Sequence, residues 1–442
     1  MPREIYGIDL GTTNSLIGLH SKNYLSDLIP SCVDINTGEC GKTMFNNMDA
    51  KRSFKVDMSM GREGIMPRVA SSYVLKELKR QAGGDCVKDV VISVPAYFTD
   101  NQRQATCEAA EKAGLNVCSL INEPTAAAIY IAQKVKGLYV VYDLGGGTFD
   151  VSIIDSRFGS YDVQATDGCI LGGDNFDAKI MQFFCKSGEI PVHRINAQAR
   201  NALRHFATMQ KIKMQKRRET FEVDLTTWGG KSILFTPEDY VTVMKLTFAQ
   251  TITTLKRLVA AYIPEGESYE IMLVGGSTRC PYLREWLHEE TGAKVDELTY
   301  DPDRVVAQGA ALYADMLASG ETGALVSDVT RALSIGLVDG TVSTLVEANS
   351  KIPLSVERMF SNPVDANALV LDLYQGESKF AVDNELIGTL VWNYSEPKKA
   401  FDGQVIVTID IDTKGTITFT AKELLCEPKV IVLDRTHVNR QR

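Results

Sequence analysis

The sequence predicts two lobes of mixed α/β structure followed by an all-β domain. A hairpin-like segment occurs twice within the first 154 residues, and helical and strand-like segments alternate between the two copies. After residue 328, apolar and polar residues alternate with period two. A chain of 442 residues is long enough for about three folding units of ordinary size.

The repeated segment covers residues 5–17 and again residues 140–154. Each copy has an apolar, β-branched run, a turn of Gly and Thr, and a second apolar run, which is typical of a β-hairpin. Two copies of one device predict two similar lobes that face each other. Neither copy has the GxxxxGK[ST] spacing of a Walker phosphate loop.

Helices and strands alternate between and after the copies. Residues 71–81 have a helical period, residues 90–94 form a buried strand, and a helix capped at 99–101 ends at Gly114. Another helix has Pro124 in its first turn. This alternation is typical of α/β lobes.

The pattern changes twice in the rest of the chain. Residues 178–260 are mostly helical, and residues 271–274 form a short apolar strand. Residues 319–323 have a linker composition. The alternating runs beyond them, at 368–374, 405–412, 416–421 and 430–433, predict an all-β sandwich.

Composition excludes several classes of protein. The net charge of −9 disfavours nucleic-acid and anionic-membrane binding, and no apolar run is long enough to span a membrane. The start MPREIYGIDLG lacks a signal-peptide core. Nine cysteines without a CxxC pair predict free thiols in a reducing compartment, which we expect to be the cytoplasm. Five scattered histidines disfavour a metal site of nitrogen or sulfur ligands.

The two turns carry the strongest chemical signal. Turns of Gly and Thr can direct several backbone N–H groups at one anion. The turn residues are Gly11, Thr12 and Thr13 in the first copy, and Gly145, Gly146, Gly147 and Thr148 in the second. Asp9, Asp143 and Asp150 border the turns and could hold Mg²⁺ through water. For one turn alone, a tight hairpin is the simpler interpretation, but two matched turns with matched carboxylates favour a nucleotide site.

Two other features are weaker signals. Gly275, Gly276 and Ser277 stand at a strand-to-helix junction and could approach a sugar or a base closely, as many such junctions do. The basic cluster at 211–218 is by default a solvated helix face.

The chain resembles the heat-shock protein 70 chaperones of the DnaK type. The likeness rests on residues 9–15 and 143–150, on VPAYF at 94–98 with Gln102 and Arg103, and on NEPTAAA at 122–128. Residues 171–173 and 274–279 match as well, and the resemblance runs from about residue 4 to 425. Sugar kinases and actin share the fold of that family but not this combination of motifs.

The resemblance implies an α/β actin-like (ribonuclease H-like), two-lobed ATPase domain at 1–318, a linker at 319–329 and a β-sandwich peptide-binding domain at 330–442. It implies slow hydrolysis of ATP to ADP and phosphate with Mg²⁺, in which positioning and charge neutralisation supply the catalysis.

The resemblance also implies a role for individual residues. Those that would contact the phosphates are Gly11, Thr12, Thr13, Asn14, Gly145, Gly146, Gly147 and Thr148, of which Thr148 also counts as catalytic. Asp9 and Asp143 would hold Mg²⁺ through its waters. Glu123 and Asp150 would position or deprotonate the attacking water, and Lys55 would orient the γ-phosphate. The nucleoside side would comprise Gly173, Lys211, Gly275, Gly276, Ser277, Arg279 and Asp303, and the peptide cleft Phe360 and Leu369. For the last two, ordinary sandwich core is an equally good interpretation.

The chain departs from the family pattern in several places. The stretch between the first turn and residue 94 is much shorter, and Lys55 lies at its edge. On the helix expected beside adenine, Thr208 replaces an acidic residue and Gln215 a serine-like one. The linker at 324–329 is less apolar, which predicts weaker coupling between domains. No counterpart of the family's helical lid follows the last strand-like run before Arg442, which predicts fast peptide release.

The expected partners are unfolded or extended apolar peptides, and the family adds a J-domain co-chaperone and a nucleotide-exchange factor. We expect a monomer that contacts neither nucleic acid nor membrane. Two alternatives remain. The first is a protein that binds nucleotide without hydrolysing it and serves as a regulator or adaptor. The second, a small-molecule kinase, follows from fold analogy alone, since the sequence offers no dedicated sugar site.

Overall fold

The computed structural model describes residues 3–45, 47, 49–58, 65–133, 136–320, 326–412, 415–423 and 428–433. Within them, the first strands form a six-stranded sheet. Its strands are β1 (Ile5–Leu10), β2 (Asn14–Leu19), β3 (Tyr24–Leu25), β4 (Ile29–Pro30), β5 (Asp89–Val94) and β6 (Asn116–Asn122). The order is β3-β2-β1-β5-β6 with β4 beside β2, and β1, β5 and β6 run parallel. The antiparallel pair β1–β2 is the first predicted hairpin.

Three helices accompany this sheet: α1 (Ile65–Ala82), α2 (Asp100–Lys112) and α3 (Glu123–Ile131). The helix predicted at residues 71–81 lies within α1, whose buried side packs on the apolar core of the sheet. Helix α2 begins after Thr99, which forms a capping box with Gln102. Helix α3 has Pro124 in its first turn, as predicted. The first α/β lobe is therefore confirmed.

The second lobe is built on a seven-stranded sheet. Its strands are β7 (Leu138–Leu144), β8 (Phe149–Asp155), β9 (Tyr161–Cys169), β12 (Glu270–Val274), β13 (Lys294–Val295), β14 (Val326–Val329) and β17 (Lys351–Ile352), and a separate ribbon joins β10 (Phe221–Val223) to β11 (Ile233–Phe235). The order is β13-β12-β7-β8-β9-β14-β17. The antiparallel pair β7–β8 is the second predicted hairpin.

Among the described residues, five α-helices follow β9: α4 (Gly173–Ser187), α5 (Ala197–Arg217), α6 (Pro237–Tyr262), α7 (Leu283–Thr291) and α8 (Val305–Ser319). The stretch predicted as mostly helical also contains the β10–β11 ribbon, because Phe221 and Phe235 turn inward and pack on each other. Helix α8 lies so close to β1 that a Cβ on Gly7 would stand 2.1 Å from the Ala311 nitrogen. This close packing joins α8 to the first sheet.

Part of the predicted linker is a strand. Strand β14 pairs parallel with β9 and antiparallel with β17, so it extends the sheet of the second lobe. The Asn122 amide donates a hydrogen bond of 2.7 Å to the Asp328 carboxylate, which ties β14 to the first lobe as well. Residues 321–325 of the predicted linker lie outside the described residues.

The remaining strands form two four-stranded sheets. They are β15 (Leu333–Gly336), β16 (Val342–Val346), β18 (Leu354–Ser361), β19 (Ala366–Gln375), β20 (Glu385–Lys398), β21 (Gln404–Ile411), β22 (Ile417–Glu423) and β23 (Lys429–Ile431). The sheets are ordered β16-β15-β19-β20 and β18-β21-β22-β23, and their apolar faces share one core. The four predicted alternating runs overlap β19, β21, β22 and β23, although residues 412, 416 and 432–433 lie just outside these strands. Residues 413 and 414, between the second and third runs, lie outside the described residues.

The β sandwich contacts the first lobe near α2. The Arg331 guanidinium lies 4.1 Å from the centroid of the Tyr97 ring and donates a hydrogen bond of 3.0 Å to the Tyr97 carbonyl. The backbone N–H of Asp100 donates to the Gln375 side chain at 2.8 Å. These contacts connect the sandwich to the loop that follows β5.

Two expectations from composition can be compared with the structure. Among the described residues, no helix is both long and apolar enough to cross a bilayer. The eight described cysteines are all free thiols, as predicted, and Cys426 lies outside the described residues.

Candidate functional site

The two Gly and Thr turns contact each other across the cleft between the lobes. A Cβ atom on Gly146 would lie 2.0 Å from the Thr13 hydroxyl oxygen, and one on Gly147 would lie 3.0 Å from the Thr12 methyl group. Two lobes can approach this closely only where the second turn carries no side chain. The structure therefore brings the two predicted phosphate turns together.

Each turn is tight and closed by its own hydrogen bond. The Gly11 N–H donates to the Ser15 hydroxyl at 3.2 Å, and the Gly145 N–H donates to the Thr148 carbonyl at 3.1 Å. A Cβ on Gly11 would lie 2.1 Å from the carbonyl oxygen of Asn14, the first residue of β2. Within the part of the chain that the structure describes, no protein acceptor pairs with the backbone N–H groups of Thr12, Thr13, Gly146 and Gly147. These N–H groups can bind an anion.

Three predicted carboxylates lie beside the turns. Asp9 is in β1, and Asp143 and Asp150 stand opposite each other in the β7–β8 register. The Ser93 hydroxyl donates to Asp9 Oδ1 at 3.0 Å, and the Tyr97 N–H donates to Asp150 Oδ1 at 2.9 Å. The sequence interpretation gave no role to Ser93 or Tyr97, although both lie in segments that it singled out. The parallel pairing of β1 with β5 sets Ser93 opposite Asp9, and no residue spacing within either segment reveals that pairing.

The three carboxylates are buried and lie close to other negative charges, and both conditions raise their pKa values. Burial, followed by the charge of Glu123, raises the pKa of Asp9 to about 7 and that of Asp150 to about 7. The same two causes raise the pKa of Asp143 well above its ordinary value. Oδ2 of Asp143 and Oδ2 of Asp150 are buried and have no hydrogen-bond partner among the described residues. The cluster is therefore suited to accept a cation or a proton-donating water.

One buried ion pair joins this cluster. Lys55 Nζ donates to Glu123 Oε1, and the two residues are only 4% and 8% exposed. Lys55 belongs to a 3₁₀ turn, Phe54–Asp57, and Glu123 is the first residue of α3. The short segment after the first hairpin thus delivers Lys55 to the cleft. Each charge depends on the other, since an unpaired buried ion is costly.

The donor set fits a hydrated magnesium ion better than a directly chelated one. No three His, Cys, Asp or Glu side chains among the described residues converge closely enough to hold an ion together. Asp9 and Asp143 offer oxygen atoms from opposite lobes, and Mg²⁺ usually keeps several of its waters. The unpartnered Oδ2 of Asp143 is the observation that supports this fit.

The predicted nucleoside side adjoins the second turn. The Gly173 N–H and the Ser277 hydroxyl both donate to the Gly145 carbonyl, at 3.0 Å and 2.8 Å. Gly275 has φ of +83°, and a Cβ there would lie 2.4 Å from the Leu144 carbonyl. The strand-to-helix junction at Gly275 therefore packs directly on the phosphate turn.

Arg279 and Asp303 lie beside the Gly275 junction, on the predicted nucleoside side of the cleft. Arg279 Nε donates to Asp303 at 2.8 Å, and its Nη2 donates to Asp301 at 2.5 Å. A Cβ on Gly276 would lie 2.6 Å from Asp303 Oδ1. Asp301 was missed by sequence reasoning, although it stands two residues before Asp303.

Lys211 lies deeper than a solvated helix face would place it. It is buried on α5 and forms an ion pair of 2.6 Å with the buried Asp177 of α4. Lys216, Arg217 and Arg218, at the end of the same helix, are exposed. The solvated interpretation of the basic cluster is therefore wrong for Lys211, because Asp177 supplies a buried countercharge that the sequence pattern did not reveal.

Phe360 and Leu369 lie in the β sandwich, away from this cleft. Leu369 is 3% exposed and belongs to the sandwich core, and Phe360 is half-buried against that core. Their role in peptide binding stays a prediction.

The structure combines two lobes, a cleft where two matched Gly and Thr turns meet, and a pair of β sheets. Comparison with protein-family models matches residues 41–432 to the family described as Hsp70 protein. Members of that family have an actin-like ATPase domain followed by a β sandwich, bind nucleotide and are generally ATPases. The match covers most of the chain: it begins at residue 41, after the first hairpin, and includes the rest of the first lobe, the second lobe and the sandwich. The chain belongs to the Hsp70 family.

Proposed function

We propose that this protein is an ATP-dependent chaperone that hydrolyses ATP and uses the reaction to control its binding of extended apolar peptides. The single observation that carries the proposal is the group of carboxylates beside the two facing turns. Asp9, Asp143 and Asp150 lie where the anion-binding N–H groups of both lobes meet, together with the buried Lys55–Glu123 pair. Phosphoryl transfer to water needs this combination of positioning and charge neutralisation.

The phosphates would be held mainly by backbone. The N–H groups of Thr12, Thr13, Gly146 and Gly147 have no protein acceptor among the described residues, and they belong to the turns that meet between the lobes. Asn14 and Thr148 follow these turns directly in the chain. Backbone donors are fixed before the substrate arrives, so little reorganisation accompanies the reaction. We infer that Gly11 allows the first turn to close, since a Cβ there would lie 2.1 Å from the Asn14 carbonyl, and that the Gly145 N–H closes the second turn through its hydrogen bond to the Thr148 carbonyl.

Asp150 would orient the attacking water and accept its proton. Its Oδ1 is occupied by the Tyr97 N–H, which fixes the carboxylate plane, and its Oδ2 is unpartnered. Its pKa of about 7 suits a group that takes up a proton near neutral pH. Glu123 would hold Lys55 so that the ammonium group faces the γ-phosphate.

Asp9 and Asp143 would hold the waters of Mg²⁺, and the ion when bound would neutralise phosphate charge. The nucleoside end would be formed by the glycines and polar residues beside the second turn: Gly173, Lys211, Gly275, Gly276, Ser277, Arg279 and Asp303.

The β sandwich would bind peptides by main-chain pairing and apolar pockets, with Phe360 and Leu369 among the lining residues. We place the ATPase domain at 1–318, the connecting segment at 319–329 and the peptide-binding domain at 330–442. A J-domain co-chaperone and a nucleotide-exchange factor are the partners that family membership suggests. A role in the stress response of the cytoplasm is part of the same proposal.

The test is ATP turnover by the whole chain with Mg²⁺, with and without an extended apolar peptide. We expect turnover that the peptide changes and that falls at least 10-fold in Asp150→Asn and in Thr148→Ala. Asp85→Asn, which alters a fully exposed carboxylate of the first lobe, is the matched control and should keep normal turnover. Normal turnover in both site variants would overturn the assignment. ATP binding without hydrolysis by the native chain would favour the regulatory alternative.

A further inference from the structure

A short loop of the first lobe reaches across the cleft to the second lobe. We call it the cross-cleft loop and define it by the described residues 41–45, 47 and 49–57. Val33 of the first lobe pairs with both Cys40 and Lys51, one on each side of the tip of the loop. Farther along the chain, Lys55 pairs with Glu123 of α3. The loop is therefore anchored on the first lobe, and its contacts with α4 and α5 join the two lobes.

The tip of the loop contacts α5 through two aromatic rings. The Phe45 ring lies edge-on to the His205 ring, with the ring centroids 5.6 Å apart and an angle of 74° between the ring planes. Edge-to-face packing is a favoured geometry for aromatic pairs. Burial and the charge of Arg52 lower the pKa of His205 against the opposing charge of Asp177, so the imidazole is neutral near pH 7. The contact therefore joins the lobes without burying a charge.

Arg52 fixes the shape of the tip. Its Nη2 donates to the carbonyl groups of Met44, Phe45 and Asn47, at 3.2, 2.6 and 3.0 Å. Its guanidinium also lies 5.9 Å from the centroid of the Phe45 ring. Because one side chain closes the tip from within, the Phe45 ring is held in place by its own lobe. A preorganised group of this kind loses little conformational freedom when it meets its partner.

The second half of the loop packs beside the second Gly and Thr turn. The Ser53 side chain forms a hydrogen bond with the carboxylate of Asp174, the second residue of α4. The Asp174 N–H in turn donates to the Gly146 carbonyl at 2.7 Å. Val56 lies against Gly147, where a Cβ would stand 2.5 Å from a Val56 methyl group. The loop thus contacts the second lobe at α5, at α4 and at the turn itself.

A nucleotide held between the two turns can enter or leave only when the lobes move apart. The turns already touch, since a Cβ on Gly146 would lie 2.0 Å from the Thr13 hydroxyl oxygen. Separation of the lobes must also break the contacts of the cross-cleft loop, because the loop is anchored on one lobe and packs on the other. These contacts therefore add to the barrier that a bound nucleotide must cross to escape.

We propose that the cross-cleft loop is a latch that keeps the lobes closed on bound nucleotide, and that the Phe45–His205 pair is its releasable contact. The proposal rests on the proposed function, because it concerns the residence of nucleotide in the same cleft. Contacts that form after the nucleotide has entered act mainly on its dissociation rate. An aromatic pair of this kind is strong enough to change that rate by about 2- to 12-fold.

The experiment measures how fast ADP labelled with a fluorescent methylanthraniloyl group leaves the whole chain, with Mg²⁺ present, after an excess of unlabelled ADP is added. Phe45→Ala and His205→Ala should each release the label about 3-fold faster or more, because either change removes the aromatic contact. Phe158→Ala removes a ring that is 88% exposed at the turn between β8 and β9, and this matched control should release at the native rate. Acceleration below about 3-fold in both variants, or equal acceleration in the control, would overturn the proposal.

Two further variants test whether Phe45 and His205 act through each other. The double alanine variant should release the label no more than about 2-fold faster than the faster single variant, since one contact can be lost only once. His205→Phe, which keeps an aromatic ring opposite Phe45, should restore slow release. Multiplied effects in the double variant, or release by His205→Phe as fast as by His205→Ala, would contradict the latch. Only molecules that hold the label are followed, so partial unfolding of a variant lowers the signal and leaves the rate unchanged.

The two proposals fail differently. If the native chain binds no nucleotide, the proposed function fails and this inference with it. If nucleotide is bound and hydrolysed but both single variants release the label at the native rate, the proposed function stands and the latch is wrong.

Discussion

Replacing Asp150 by asparagine should stabilise the nucleotide-free protein at alkaline pH while it slows hydrolysis at least 10-fold. Asp150 is 1% exposed, and Oδ2 of its carboxylate has no partner among the described residues. Burial and the nearby charge of Glu123 raise its pKa to about 7. Asparagine keeps an oxygen for the Tyr97 N–H and removes the charge. At position 150, hydrolysis therefore favours the charged aspartate, whereas the stability of the nucleotide-free fold favours the neutral asparagine.

The size and sign of the effect follow from the two pKa values. In the unfolded chain an aspartate titrates near 3.9, so between about pH 4 and pH 7 the folded state binds more protons than the unfolded one. The stability that protonated Asp150 contributes is therefore fully present below about pH 4 and is lost as the pH rises through 7. A shift of about three pH units corresponds to at most about 4 kcal/mol, and the neutral asparagine escapes this loss.

The assay is thermal unfolding of the wild type and Asp150→Asn from pH 5 to pH 8, without nucleotide and with a chelator to remove Mg²⁺. For a chain of 442 residues, about 4 kcal/mol is a shift in Tm of roughly 4 °C. The Tm difference between variant and wild type should grow by about 2–4 °C across this pH range, in favour of the variant. A variant that is less stable at pH 8, or a difference that does not change with pH, would refute the reasoning.

Three other changes test separate contacts. Lys55→Met should lower the free energy of unfolding by about 3 kcal/mol in urea titrations at pH 8, because Glu123 is left buried and charged. Adding Glu123→Gln to this variant should restore most of the lost stability, and a double variant without that rescue would contradict the ion-pair account. Gly172→Ala should weaken ATP binding at least 10-fold in a binding titration, since the new Cβ would lie 2.6 Å from the Gly146 backbone and displace the second turn. An unchanged Kd would show that the turn containing Gly146 does not bind phosphate. Arg331→Ala should raise the radius of gyration measured by X-ray scattering, because it removes the contacts of Arg331 with the Tyr97 ring and carbonyl that hold the sandwich against the first lobe. An unchanged scattering profile would mean that this contact is dispensable.

The two hairpins were predictable because their signal is local. A β-branched run, a glycine turn and a second run specify a hairpin without reference to the rest of the chain. The register then decides what meets across the strands, and it sets Asp143 opposite Asp150. The helix starts at Thr99 and Pro124 were local for the same reason, since capping depends on a few neighbouring residues.

The partners of the site residues could not be predicted in the same way. Ser93, Tyr97 and Asp177 reach Asp9, Asp150 and Lys211 only after strands and helices distant in sequence have packed together. No spacing rule within one segment carries that information. The sequence pattern and the resemblance therefore named candidate site residues, whereas the contacts that orient them depended on tertiary structure.

The predicted linker is a further case in which tertiary structure decides what local sequence cannot predict. Composition predicted a connection at residues 319–323 and the resemblance extended it to 329, yet residues 326–329 pair with β9 and with β17. A short connecting segment becomes a strand when a neighbouring sheet offers an unpaired edge. Asp328 adds a side-chain bond to Asn122 that holds the strand in place.

The most direct test of the central claim is a single-turnover measurement on the whole chain. ATP is bound to an excess of protein, Mg²⁺ is added, and the conversion of bound ATP to ADP is followed with time. The account predicts conversion well above the rate in solution for the native chain, and at least 10-fold slower conversion for Asp150→Asn. Bound ATP that stays intact in the native chain, or equal conversion rates in the two proteins, would contradict it.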